Sequence, residues 1–350
     1  MIVRCSPALA AGFTLMELLV VVALLSALAL AGFSVVAEDQ GQVRYNDTRA
    51  RMERLRLAIL GPIGPAWDGD WRLFGHVADN GRLPASVAEL LSSPAGHAVQ
   101  AAVDPIFDPR PDALCAQDGS ESPLSWTAAQ RLLKGHRGDY LGGAAVNGEY
   151  RDGFANRGAT DDASNFGWVL VAAGGGLTLS SLGGDGVTGG SAVYDSDQIL
   201  IIGTHDWQVD LNGWQVTVVN RTGADRSVAD PPLRASLLWF RNGASGGGWH
   251  RVTTQSYSGC LDGTGDGLVG GVPCTDRVQL AFDATCDPGI ATTPDSKVPM
   301  GRHLVVLLSD ADGLAHTSDD TVLAAGGVPI AIQVALFPGA DRPAVTLELR

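Results

Sequence analysis

From Leu18 to Ala37 the chain runs almost without a polar side chain. Only Ser26 and Ser34 interrupt it, and both hydroxyls can bond back to helix carbonyls. About 20 such residues are enough to cross the hydrocarbon core of a bilayer, so the run predicts a transmembrane anchor over about 13–37. The period then changes. Val43, Met52, Leu55, Ile59 and Leu60 fall on one stripe at helical spacing, and Arg44, Arg49, Arg51, Arg54 and Arg56 cover the remaining, solvated surface. Gly61-Pro62 supplies the stop. One long helix over 13–60 is expected, half in lipid and half packed on a globular head.

From 61 to 203 the pattern is short helices followed by short strands with glycine turns, including a helix capped by Ser86 in "DNGRLPASVAELL". From 204 to 350 it alternates as β. Trp214, Val216 and Val218 share a face, as do Ile330, Ile332, Val334 and Leu336, while Val345, Leu347 and Leu349 alternate with Thr346, Glu348 and Arg350. With "RASLLWFR", "RVQLAF" and "RHLVVLLS" at regular spacing, this predicts an antiparallel sandwich. The fold class expected is α+β: a long helix on a small antiparallel sheet, then a β-sandwich.

Composition agrees with a folded chain. Of 350 residues 45% are hydrophobic, and eight Trp are scattered along the length. The 45 Gly follow no strict period, which excludes a collagen-like or low-complexity reading. Net charge is −14 and no Lys/Arg block forms a nucleic-acid footprint, so DNA and RNA are set aside as partners. Acid clusters with glycine recur; each is either a solubilising surface or a site for a hard cation. Cys5 precedes the apolar run, and Cys115, Cys260, Cys274 and Cys286 follow it. If the run is an anchor, those four face an oxidising compartment. Cys260 and Cys274 flank one glycine-rich loop and are the favoured pair among three possible pairings of four.

A cleaved secretory signal is the rival reading of the N-terminus. It expects a core of about 7–15 residues with small residues after it, whereas here Ala11-Gly12 precedes a longer one. Arg4 before the run and Glu38-Asp39 after it place the amino end in the cytoplasm. The puzzle is Glu17, one acid inside the apolar segment. An unpaired carboxylate there costs about 2.5–3.5 kcal/mol on insertion scales.

The stretch "GFTLMELLVVVALLSALAL" resembles the processing and methylation motif of type IV pilins and type II secretion pseudopilins. The resemblance implies that a prepilin peptidase cuts after Gly12, that Phe13 becomes the N-methylated terminus, and that Glu17 pairs with the terminal amine of a neighbouring subunit. It also implies other pilin or pseudopilin subunits and an inner-membrane assembly platform as partners, and a bacterial inner-membrane location with the domains after the anchor in the periplasm. The chain lacks the proline many relatives carry in the second half of the anchor; Gly32 stands near that place.

In the head, "DNGRLPASVAELL" and "GDYLGG … YRDGFANRG", with Asp152-Gly153-Phe154, are similar to segments of the major pseudopilin of type II secretion. "LTLSSLGGDGVTGGSAVYDSDQI", residues 177–199, is similar to that family's calcium loop, with one extra residue before the acid pair. The resemblance implies calcium, bound by Asp185, Asp195 and Asp197 with the carbonyls of Leu182 and Val187 and with Ser181. Calcium takes six to eight oxygen ligands, and a loop with acids at both ends and glycine between them can close on one ion. A metal-free acidic hairpin loop is the alternative.

The resemblance covers about 12–200, and the following 150 residues depart from it. Two further acid loops lie there, Asp262/Asp266 and Asp310/Asp312/Asp319/Asp320, read as solvated turns ahead of metal sites. His205, His250, His303 and His316 are possible bases, but none stands in a recognisable catalytic arrangement, so no catalysis is expected. The domains expected are a leader over 1–12, the helix over 13–60, a head over 61–203 and a sandwich over 204–350. The function expected is a filament subunit, minor or atypical, of a type II secretion or type IV pilus machine. The alternatives are a surface- or substrate-binding, adhesin-like module carried on a filament, and an anchored enzyme.

Overall fold

The computed structural model describes residues 14–62, 74–105, 126–157, 162–244, 246–282, 296–311 and 320–350. Gly12, Phe13, Cys5, Cys115, Cys286, Asp312, Asp319 and His316 lie outside the described residues.

Helix α1 (Leu15–Leu60) begins at a reciprocal cap. The Thr14 amide and hydroxyl donate to the Glu17 carboxylate at 2.9 and 3.0 Å, and the Glu17 amide donates back to the hydroxyl at 3.3 Å. The helix ends at Gly61, whose φ is +79° and whose N–H donates to the Leu57 carbonyl at 2.8 Å. A Cβ at Gly61 would lie 1.6 Å from the Phe74 carbonyl oxygen, so only glycine lets the chain leave here. Met52, Leu55, Ile59 and Leu60 are buried as the stripe requires, but Val43 is 67% exposed. Thr48, five residues further on, is fully buried, and its hydroxyl accepts from the Gly153 amide at 3.0 Å.

The head continues with α2 (His76–Asn80), a single 3₁₀ turn over Ala88–Leu90, and a two-stranded ribbon of β1 (Ala101–Val103) with β2 (Leu132–Lys134). The helix expected after Ser86 is thus one turn long. The Glu89 side chain accepts from the Ala85 amide at 2.7 Å and is committed inward, so no solvent-facing helix surface develops. Then come α3 (Asp162–Asn165) and an antiparallel sheet of β3 (Val169–Ala173), β4 (Gly176–Ser181) and β5 (Gln198–Ile202). Leu55 and Ile59 of α1 pack with Leu177, Leu179, Leu200 and Ile202 on one face of that sheet.

Helix α4 (Thr204–Trp207) leads into β6 (Gln208–Asp210), β7 (Gln215–Asn220), β8 (Leu233–Gly243) and β9 (Gly246–Thr253). The ribbon β10 (Leu268–Val269) with β11 (Val272–Pro273) precedes β12 (Arg277–Ala281), β13 (Lys297–Pro299) and β14 (Gly301–Ser309). Short strands β15 (Thr321–Val322), β16 (Ala324–Ala325) and β17 (Val328–Pro329) lead to β18 (Ala331–Leu336) and β19 (Val345–Leu349). Two larger sheets, β12–β7–β19 and one built on β15–β14–β8–β9 with β18 beside β14, share a core of Val216, Val218, Leu233, Leu237, Val305, Leu307 and Leu347. Cys260 and Cys274 are joined by a disulfide, with Cα atoms 5.8 Å apart.

The expected α+β class is corrected. Strand makes up 36% of the described residues against 21% helix, spread over many small sheets, so what is described is mainly β. After α1 no α-helix among the described residues exceeds five residues. The pairing also departs from an all-antiparallel sandwich. β19 runs parallel to β7 because the chain crosses from the β14 sheet to the β7 sheet after β18.

The membrane expectation is corrected as well. Among the described residues no helix is long and apolar enough to cross a membrane. The single-pass anchor, the inner-membrane location and the periplasmic placement that followed from it are therefore withdrawn.

Head and extension share a seam. Leu132 and the half-buried Trp126 pack with Leu238, Phe240, Trp249, Leu304 and Val306 of the extension. At the seam's centre Asn242, fully buried, donates to Asn80 Oδ1 at 2.8 Å and to the Ala98 carbonyl at 2.9 Å.

Candidate functional site

Three places bear on function: the start of α1, the acid loop between β4 and β5, and a buried polar network at the seam. At the first, the apolar side chains of α1 have nothing over them. Leu15, Met16, Leu18, Leu19, Val20, Val21, Val22, Leu24, Leu25, Leu28 and Leu30 are 46–81% exposed. Glu17 sits in the first turn, its carboxylate held to Thr14.

The acid loop folds back on itself. The Gly184 amide donates to the Tyr194 carbonyl at 2.6 Å, the Asp197 amide to the Gly189 carbonyl at 3.2 Å, and the Gly189 amide to Asp197 Oδ2 at 3.0 Å. Gly183 and Gly190, both at positive φ, close over the Asp195 carbonyl; a Cβ on either would come within 2.3 Å of it. Asp197 Oδ1 is buried and has no hydrogen-bond partner. Asp185 is exposed and accepts from the Val187 amide at 3.0 Å. The Ser181 hydroxyl is turned away, donating to Asp152 Oδ2 at 2.5 Å, while Asn156 ties Asp152 to the Gly183 carbonyl. Leu182 is buried and Val187 is 61% exposed. The loop therefore brings its ends together, but among the described residues no group of three or more His, Cys, Asp or Glu is arranged to hold a metal. The orphaned Asp197 oxygen and an all-oxygen donor set fit a hard cation; Asp185 is the member left outside.

Tyr194 of this loop also grips α1. Its hydroxyl donates to Gln42 Oε1 at 3.1 Å, and its ring lies where a Cβ on Gly41 would approach to 2.6 Å.

The described acids of the other two loops bond to protein groups. Asp262 accepts from the amides of Thr264, Gly265 and Gly267 at 2.8–2.9 Å, and Asp266 accepts from the Leu268 amide at 2.9 Å. Asp310 forms a buried ion pair with Arg234, and Asp320 one with Arg251 at 3.2 Å. Of the histidines considered as bases, His303 is in the core, His250 stacks on Trp239 with centroids 4.4 Å apart, and the His205 side chain is 86% exposed.

The third place was not visible in the sequence. Glu89, 2% exposed, accepts from His76 Nε2 at 3.1 Å and from the Arg82 guanidinium, whose Nη2 also lies 3.0 Å from His97 Nδ1. Arg82 Nε donates across the seam to the Asn242 carbonyl at 2.7 Å. Burial alone would raise the Glu89 carboxyl, but His76, Arg82 and the Ala85 amide bring it down to about 2. Burial holds His76 below its usual value against the pull of Glu89. Nearby, burial lifts Asp79 to about 6 despite Arg137 at 3.7 Å, and lowers Lys134 to about 8. Lys134 Nζ donates to the Ala78 carbonyl at 3.0 Å. No spacing rule links positions 76, 79, 82, 89, 97 and 134; only the proximity of Asp79, Asn80 and Arg82 in one segment hints at the cluster.

Asp79 provides a pH test. Its folded pKa of about 6 lies above the usual value of 3.8, so the native state disfavours its charge, and stability is lost as pH rises from about 4 to 6. Asp79→Asn is expected to be more stable than the parent by about 1–3 kcal/mol at pH 7.5, with the difference gone at pH 4. Urea titrations at both pH values measure it.

No known protein family, curated protein or solved structure matches this chain.

Proposed function

We propose that the protein is a structural subunit of a filament, of the type II secretion or type IV pilus kind. A prepilin peptidase releases it at Gly12–Phe13, and it assembles with other copies or related subunits through the first half of α1. The observation that carries this reading is the uncovered apolar surface of α1 from Leu15 to Leu30, with Glu17 as its one charge. Exposed apolar area of that extent marks an association surface. A helix that is apolar all round buries itself among other elements rather than on one head. Glu17 gives the surface polarity, since an acid among apolar neighbours needs a cation, and the amine freed at Phe13 of a neighbouring copy supplies one.

A binding module on the extension has less support. The exposed large hydrophobics described there are Val228, Leu268, Val272, Val328 and Ile332, with no aromatic among them. Adhesive faces favour exposed aromatics. The extension accordingly reads as structural bulk.

Calcium is part of the proposal. Asp195 and Asp197, with Asp185 drawn in and the carbonyls of Leu182 and Val187, would hold the ion and stiffen the loop that grips α1. The expected result is a rise in melting temperature of several degrees in calcium over chelator, corresponding to about 2.7 kcal/mol at a hundredfold excess over the dissociation constant. Asp197→Ala should abolish the rise. An equal melting temperature in calcium and chelator removes the ion from this account.

The filament itself is tested by incubating the chain that begins at Phe13 and following assembly by sedimentation and electron microscopy. Filaments are expected; a chain that stays monomeric at all concentrations overturns the reading.

A further inference from the structure

Beyond its apolar half, α1 carries a second exposed stripe. Val43, Ala50 and Leu57 are exposed at intervals of seven residues, on the side opposite Thr48, Met52, Leu55 and Ile59, which are buried. A seven-residue apolar repeat is the pattern with which helices pack side by side. Glu53 stands exposed on one flank of this stripe. The ion pairs of this half of the helix are Arg51 with Asp47 and Arg56 with Asp206, which leave Glu53 out.

On the other flank lies a groove of about 450 Å³. Its charged members are Arg54 and Arg137, set among Leu57, Phe74, Tyr140 and Leu141. Arg137 is fixed there, 5.5 Å over the Phe74 ring, 5.0 Å over the Tyr140 ring and 3.7 Å from Asp79. Arg54 also neighbours the Tyr150 hydroxyl. Phe74 and Leu57 are 48% and 49% exposed. On a chain of net charge −14, two arginines beside exposed apolar side chains suit a carboxylate carried on an apolar surface.

The register follows from the amine pairing. Phe13 of one copy lies beside Glu17 of the next, four positions further along the helix. Parallel helices so paired are offset by about 6 Å, and the same four-residue offset holds along their length. Glu53 of the displaced copy then stands level with Leu57 of its neighbour, beside Arg54 and the groove.

We propose that Glu53 of one copy enters the Arg54–Arg137 groove of the next, so that the helices associate along the Val43–Ala50–Leu57 stripe as well as through their apolar halves. This rests on the filament reading and takes its register from the Glu17–Phe13 pair. Each copy offers both halves of the contact on opposite flanks of one helix, so the contact is heterologous and propagates from copy to copy.

The test assembles a mixture of isotopically light and heavy chains that begin at Phe13, with a benzophenone side chain in place of Phe74. After irradiation, adducts between light and heavy peptides are mapped by mass spectrometry, and adducts to residues 49–57 of the other copy are expected. Glu53→Arg should lower the assembled fraction at least tenfold while leaving the monomer's melting temperature unchanged. Glu53→Arg with Arg54→Glu should recover most of that loss, and Val146→Asp, on another exposed side chain, should assemble normally. Filaments whose adducts from position 74 fall outside 49–57, a Glu53→Arg variant that assembles like the parent, or a charge swap without recovery overturns this contact and leaves the filament reading standing. A parent chain that never assembles removes both.

Discussion

Glu89→Ala is expected to cost about 3–5 kcal/mol of folding stability at pH 7, because it leaves Arg82, His76 and His97 in a buried pocket without their anion. The loss reaches across the seam, since Arg82 is also what bonds the head to the Asn242 carbonyl. Glu89→Gln keeps an acceptor and drops the charge, so its loss should be smaller. The sign with pH follows from the folded pKa of about 2, depressed from 4.5. The carboxylate's contribution is complete above about pH 4.5 and disappears as pH falls toward 2. The stability gap between the parent and Glu89→Gln should therefore close over that window in urea unfolding. A gap independent of pH would show that Glu89 acts by packing alone.

Glu17→Lys has the larger functional effect expected: loss of assembly by a factor of a hundred or more, with the globular part unaffected. The carboxylate is held at the helix start by Thr14, next in sequence to Phe13, the proposed terminus. Reversing its charge sets a lysine against the terminal amine of the neighbouring copy in apolar surroundings, where like charges repel at low dielectric. It also removes the reciprocal cap, worth about 1 kcal/mol. Glu17→Gln retains the cap and loses only the charge, so it separates the two contributions. Sedimentation of assembled material with circular dichroism of the soluble fraction reads both. Normal assembly of Glu17→Lys would mean that the acid has no partner.

The elements legible in the sequence were those with long, uninterrupted periodicity. The helix ending at Gly61, the inward rows of β7 and β19, and the strands "RASLLWFR" and "RHLVVLLS" each repeat one pattern over five or more residues. Illegible were features that depend on what faces what. Asp310 and Asp320 read as solvated acids because their partners, Arg234 and Arg251, are 76 and 69 residues away. The Glu89 network draws on α2, the Arg82 segment and a residue of β8, and no local pattern encodes such a meeting. The balance of strand over helix was missed because many strands are two or three residues long, below the length at which alternation can be recognised. In the acid loop, of the oxygen donors that the resemblance implies, the structure turns Ser181 toward Asp152 and leaves Asp185 in solvent.

The most direct measurement is the mass of the amino-terminal peptide from chains recovered in assembled form in the native host. A peptide beginning at Phe13, with the twelve preceding residues gone, is what the account predicts. Assembled chains that keep the Gly12–Phe13 bond intact would contradict it, because no amine would then stand where Glu17 needs one.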